Sequence, residues 1–195
     1  SLGANDYITK PFHRDELVAR VEVAIRIKQQ SDALKAANAQ LAALSVTDEL
    51  TGLYNRRHLD QRLAEEVALA KRHQFPLSCL MVDVDRFKRI NDTFGHQEGD
   101  RVLQIVAQVL RESTRVSDVV GRYGGEEFMV ITPGTPLLSA CKLGERIRTR
   151  TEAQDVQAAG DVIHITVSIG VAQLGQADTP ESLVASADRA LYMAK

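Results

Sequence analysis

Asp118-Val119-Val120-Gly121-Arg122-Tyr123-Gly124-Gly125-Glu126-Glu127-Phe128-Met129-Val130-Ile131-Thr132 sets two β-prone runs on either side of a Gly-Gly pair. Such a pair predicts a β-hairpin, because glycine supplies the positive φ that a two-residue hairpin turn demands. Upstream, Leu77 to Val82 is an apolar run, interrupted only by Ser78, that closes on Asp83-Val84-Asp85. Apolarity without alternation over so few residues predicts a strand buried on both faces. If that strand pairs with the hairpin, Asp83, Glu126 and Glu127 converge at one end of a sheet.

Helical patterns surround these strands. A helix is predicted to about His73, with Leu59, Leu63, Val67 and Ala70 on one face and Pro76 beyond its end. Arg86 to Phe94 predicts a short helix stopped by Gly95, and Glu98 to Glu112 a longer one carrying Val102, Ile105, Val106, Val109 and Leu110. Pro136 to about Thr151 and Pro180 to Lys195 predict two more. Val162 to Ala172 alternates β-branched residues (Ile163, Ile165, Val167, Ile169) and predicts one strand. The resulting order implies an α+β sandwich, an antiparallel-containing sheet with helices on one face. No internal repeat or low-complexity tract is present.

The 195 residues hold one full domain plus an appendage. With 44% hydrophobic and 26% charged residues the chain reads as a folded globular protein. Twenty-four Lys and Arg against 26 Asp and Glu give no basic excess, so nucleic acid is not an expected partner. No apolar run approaches the roughly 18–20 residues of a membrane helix, so no membrane partner is expected. Cys79 and Cys141 sit singly in apolar contexts. One disulfide is the alternative, but two buried thiols in a reducing compartment are expected, hence a cytoplasmic protein. The chain starts at Ser1, not Met, and already reads as mid-domain, so we expect the downstream part of a longer chain.

Arg14 to Leu44 contains no Gly or Pro. Helical throughout, it would span roughly 46 Å. Heptad positions a fall on Leu17, Ala24, Ser31, Asn38 and Ser45, and positions d on Arg20, Ile27, Leu34 and Leu41. Such an imperfect seam suits a weak two-stranded parallel coiled coil with Asn38 setting register. A lone solvated helix is the alternative.

Carboxylates from two strand ends are hard ligands suited to Mg²⁺, which binds one or two of them together with substrate phosphates. Metals so held serve phosphoryl and nucleotidyl transfer, and Gly124 and Gly125 would let a nucleotide approach the backbone. Equally, Asp83 and Asp85 could be helix caps, and Glu126 and Glu127 solubilising charges on a hairpin.

Taken together the segments resemble a family. Arg122-Tyr123-Gly124-Gly125-Glu126-Glu127-Phe128 resembles the signature of the GGDEF-domain diguanylate cyclases in its Glu variant. Asp48-Glu49-Leu50-Thr51-Gly52-Leu53-Tyr54-Asn55-Arg56-Arg57 is similar to the family's opening turn. Asp83 to Asp92, then Phe94-Gly95-His96 and Gly99-Asp100, resemble its metal and nucleotide segment. Thr166 to Val171 and Ala187 to Lys195 resemble its last strand and helix. The resemblance implies a polymerase-palm-like sandwich in which helices flank a central antiparallel-containing sheet. It divides the chain into 1–13, 14–45 as a coiled-coil linker and 46–195 as the catalytic domain.

That resemblance also implies roles. Asp83, the main-chain carbonyl of Val84 and Glu126 would hold Mg²⁺, with Mn²⁺ as a substitute. Glu126 would be the base for a ribose 3′-hydroxyl, unless the metal alone lowers that hydroxyl's pKa, and Glu127 would support a second metal. Asn91 and Asp100 would read guanine, whose N1–H and N2 donors suit an acceptor carboxylate and an amide. Lys88 and His96 would touch the nucleotide, and main-chain N–H groups near Phe87 and Lys88 would meet phosphate. Lys195 would reach a phosphate; the family's further phosphate-binding Arg falls beyond it. Arg115-Val116-Ser117-Asp118, separated from Gly124 by five residues, resembles the family's RxxD product-inhibition site. There Arg pairs with guanine O6 and N7. A surface ion pair is the alternative. Gly3-Ala4-Asn5-Asp6-Tyr7-Ile8-Thr9-Lys10-Pro11-Phe12 resembles the closing segment of a two-component receiver domain. The expected function is condensation of two GTP into cyclic di-GMP by a homodimer inhibited by its product. A non-catalytic GTP or cyclic di-GMP receptor is the competing expectation, against which stand the intact Asp83, Glu126 and Glu127.

Overall fold

The computed structural model of the chain describes residues 15, 18, 20–32, 45–158 and 161–195. The chain divides into two compact units, Ser1–Ser45 and Val46–Lys195. In the first, residues 20–32 are helical (α1) and exposed throughout, including Ile27 at heptad position d. The receiver-like segment and the d-position leucines Leu34 and Leu41 lie outside the described residues.

The second unit orders its elements as α2 (Arg56–His73), β1 (Leu77–Val84), α3 (Phe87–Phe94), α4 (His96–Ser113), β2 (Val119–Arg122), β3 (Glu127–Pro133), α5 (Leu137–Glu152), β4 (Asp155–Ala158), β5 (Asp161–His164), β6 (Val167–Gln173) and α6 (Pro180–Ala194). Local chemistry explains the helix starts. Asn55 caps α2 by accepting from the His58 N–H, and Thr179 with Ser182 forms a reciprocal capping box ahead of Pro180. Gly95, at φ 87, ends α3 and begins α4, a backbone state that favours glycine.

The main sheet runs β2-β3-β1-β6 and every pairing is antiparallel. All eight residues of β1 are buried, Ser78 and Asp83 included, in keeping with the two-faced burial its apolar run predicted. Alternate residues feed two cores. Leu80, Val82, Phe128 and Val130 pack with Val102, Val106 and Leu110 of α4 and Ala140 and Ile147 of α5. Cys79, Met81, Met129 and Ile131 pack with Leu59, Leu63 and Val67 of α2 and Leu183, Ala187 and Leu191 of α6. Helices therefore cover both faces, correcting the expectation of one.

Three further expectations change. The predicted strand from Val162 to Ala172 is two strands in different sheets: β5 pairs with β4, and β6 pairs with β1. Neither Gly124 nor Gly125 has positive φ, because the hairpin loop is the longer Tyr123–Glu126 and bends over several residues. Cys79 is buried, and desolvation pushes its thiol up to about 12, whereas Cys141 is exposed; both are free. Among the described residues no helix is long and apolar enough to cross a membrane.

Candidate active site

Register builds the acidic cluster. β1 pairs with β3 so that Asp83 stands opposite Glu127, and the Val84 N–H donates to the Glu126 carbonyl at 3.2 Å. Asp83 is buried, with Glu126 and Glu127 half-buried beside it. Burial pushes the Glu127 carboxyl upward, and the charges of Asp83, Asp188 and Glu126 push it the same way. Lys195 Nζ lies 2.8 Å from Asp83 Oδ1. Its hydrogen bond to Asp83 raises the Lys195 pKa. A cation thus already sits on the buried carboxylate.

The capping alternative for these aspartates is not realised. Arg86, not an aspartate, occupies the N-cap of α3 and makes no side-chain cap, and Asp85 Oδ1 accepts from Ser168 Oγ at 2.7 Å. Close approach explains one glycine of the loop. A Cβ on Gly124 would stand 2.6 Å from Glu127 Oε2, whereas one on Gly125 would meet open space.

A clamp that the sequence did not announce holds the loop. Arg122 donates to the Gly125 carbonyl through Nε at 3.0 Å and Nη2 at 2.6 Å, while its Nη1 reaches Asp48 Oδ2 at 3.2 Å. Asp48 accepts in turn from the Thr51 N–H at 2.9 Å and hydroxyl at 2.7 Å. Desolvation opposes the ionised form of Asp48, but the Thr51 hydrogen bonds and Arg122 outweigh it and hold its pKa below 3.8. Asp48→Asn is expected to cost about 1 kcal/mol at neutral pH. A carboxyl depressed in the fold stabilises fully above its ordinary value and loses that contribution as pH falls through the depressed one. The Tm gap between parent and variant should therefore be full at pH 7 and close below about pH 4; a gap constant across that range would exclude the ion pair.

The nucleotide candidates occupy the α3–α4 pair. Phe87 and Lys88 open α3, the half-buried Asn91 lies one turn on, and His96 and Asp100 are exposed on the first turn and a half of α4. Among the described residues neither the Lys88 nor the His96 side chain makes a hydrogen bond or ion pair, and the structure does not draw them into the acidic cluster. Arg115 and Asp118 lie on the far side of the hairpin. They line a cavity of about 440 Å³ with Thr47, Tyr54 and Arg111. The Arg115 N–H donates to Asp118 Oδ2 at 2.8 Å, while Asp118 Oδ1 is buried without a partner. Among the described residues no ion pair joins the two side chains. Asp188, near enough to raise the Glu127 pKa, carried no signal in the sequence beyond its place in the last helix.

An antiparallel sheet with acidic residues at one strand end, covered by helices on both faces, defines the class. Residues 45–195 match the family model for the diguanylate cyclase, GGDEF domain, and the chain belongs to that family. It is 43% identical over 197 residues to the response regulator PleD of Caulobacter vibrioides, covering 100% of this chain and 43% of that protein. It is 44% identical over 149 residues to the diguanylate cyclase DosC of Escherichia coli, covering 76% of this chain and 32% of DosC. The chain therefore spans less than half the length of these relatives. Among solved structures it resembles the coiled coil and GGDEF domain of DgcB from Caulobacter crescentus in complex with c-di-GMP. That match has a TM-score of 0.74 and 30% identity, and covers 90% of this chain and 92% of the other.

Proposed function

We propose that this chain is the catalytic part of a diguanylate cyclase, condensing two GTP into cyclic di-GMP and releasing two pyrophosphates. The observation that carries this reading is the gathering of Asp83, Glu126 and Glu127 at one sheet end with Lys195 on Asp83. Among the described residues no three His, Cys, Asp or Glu side chains could hold a metal unaided. Two carboxylates and a carbonyl nonetheless fit Mg²⁺, which completes its sphere with water and substrate phosphate. Asp83, the Val84 carbonyl and Glu126 would hold it, and Mn²⁺ would substitute. Bound there, the ion would neutralise phosphoryl charge and lower the 3′-hydroxyl pKa.

The chain's own residues do the rest. Glu126 takes the proton as the 3′-oxygen of one GTP bonds to the α-phosphorus of the other, and the bond from that phosphorus to pyrophosphate breaks. Glu127 supports the cluster beside it. Lys195 exchanges its Asp83 partner for a substrate phosphate, and the main chain at Phe87 and Lys88 meets phosphate oxygens. Asn91 and Asp100 hold guanine, with Lys88 and His96 at its margins, while Gly124 and Gly125 let the ribose approach. One domain carries one GTP, so two domains face each other as a homodimer. Segment 14–45 forms the coiled coil that joins them, 1–13 is the end of a receiver and 46–195 the catalytic domain. The DgcB structure, with its coiled coil, supports the linker, and PleD's description as a response regulator supports the receiver. Specific activity measured over a dilution series tests the assembly. It should fall as the dimer dissociates, and a constant value in monomeric protein would refute it.

The same reading assigns product inhibition to the cavity lined by Arg115 and Asp118. The exposed Arg115 guanidinium offers guanine O6 and N7 donors, and Asp118 lines the same cavity as the acidic partner. Arg115→Ala should leave initial rates within about twofold, since the cavity lies apart from the acidic cluster. Its progress curves should stay straight while the parent's bend as cyclic di-GMP accumulates. Equal bending in both would exclude the site.

A further inference from the structure

Gly99 is buried in the first turn of α4, beside Asp100, and its backbone is helical without positive φ. Conformation therefore does not require glycine here, and in a helix glycine is less favourable than alanine. Space does require it. A Cβ on Gly99 would overlap Asn91 Oδ1, stand 3.0 Å from Asn91 Cγ and reach 3.3 Å from Phe87 Cζ. The atom in the way is the tip of a side chain free to rotate, not the backbone. Among the described residues the Asn91 carboxamide makes no hydrogen bond, so close packing against the bare Gly99 Cα is what sets its position.

We infer that Gly99 is a positioning residue for base selection: its missing side chain seats the Asn91 carboxamide on α4 beside Asp100, so that both can grip one guanine edge. This rests on the proposed role of Asn91 and Asp100. A methyl group at position 99 swings the carboxamide off the base while leaving the helix pair intact. The substitution is then mild for the fold and severe for recognition. A glycine kept only for helix packing would show the reverse.

The test titrates the parent, Gly99→Ala, Asn91→Ala and the double variant with non-hydrolysable α,β-methylene analogues of GTP and ATP in the presence of Mg²⁺. Gly99→Ala should weaken the guanine analogue at least tenfold and the adenine analogue, held through its triphosphate, less than twofold. Its Tm should stay level or rise. Adding Gly99→Ala to Asn91→Ala should cause no further loss, because the first acts through the second. Equal weakening of both analogues, additive losses in the double variant, or a markedly lower Tm would each overturn the inference. If Asn91→Ala itself spares the guanine preference, the assignment of Asn91 fails and takes this inference with it. If Asn91→Ala abolishes the preference while Gly99→Ala keeps it, only the inference fails.

Discussion

Glu126→Gln should abolish cyclic di-GMP formation, by about 10²–10⁴-fold or more, while leaving the fold intact. The amide keeps the carboxylate's volume but removes both the charge a cation needs and the site for the departing proton. Stability should barely change. The main chain of Glu126 holds the hairpin to β1 through the Val84 N–H, and a side-chain change leaves that bond untouched. Removing one charge also relieves Glu127, whose carboxyl the neighbouring charges of Asp83, Asp188 and Glu126 push upward. The check pairs product quantification with a thermal melt. Near-normal turnover at an unchanged Tm would remove Glu126 from the chemistry.

Gly170→Ala should produce the largest loss of stability. β6 lies directly under α6 at this point. An added Cβ would overlap the main-chain oxygen of Ala187 and nitrogen of Leu191, and sit 2.7 Å from the Leu191 Cα. Main-chain atoms in a helix cannot step aside singly, so the whole of α6 must lift from the sheet. Overpacking of this kind costs about 3 kcal/mol, or roughly 6–12 °C in Tm for a domain of this size. Lifting α6 also carries Lys195 away from Asp83, so activity should fall with stability. A melt within about 2 °C of the parent would show that α6 shifts at little cost.

Much of this arrangement was legible in the residues. The apolar run of β1 announced a strand buried on both faces, and the alternating pattern around Gly124-Gly125 announced the hairpin that pairs with it. The expected convergence of Asp83 with Glu126 and Glu127 follows from the register alone. That same two-faced burial already demanded helices on both sides of the sheet, an implication the element order concealed. The break between β5 and β6 was not legible, because Ile163, Ile165 and Val167 are all buried and the period of two runs unchanged through the change of sheet. The Asp48–Arg122 clamp joins residues far apart in the chain, and opposite charges carry no address. Gly99 was legible only as part of a matched segment, not for its packing: in a single sequence a glycine kept for its missing Cβ looks like any other.

Whether this chain makes the dinucleotide or only binds it is decided by one incubation. Purified protein, GTP and Mg²⁺ are combined, and the products are separated and identified by mass together with the pyrophosphate released. The expected result is cyclic di-GMP with two pyrophosphates for each molecule formed, and none when Glu126 is Gln. GTP bound but unchanged, or hydrolysed without joining, would contradict the cyclase assignment and leave a nucleotide receptor built on the same fold.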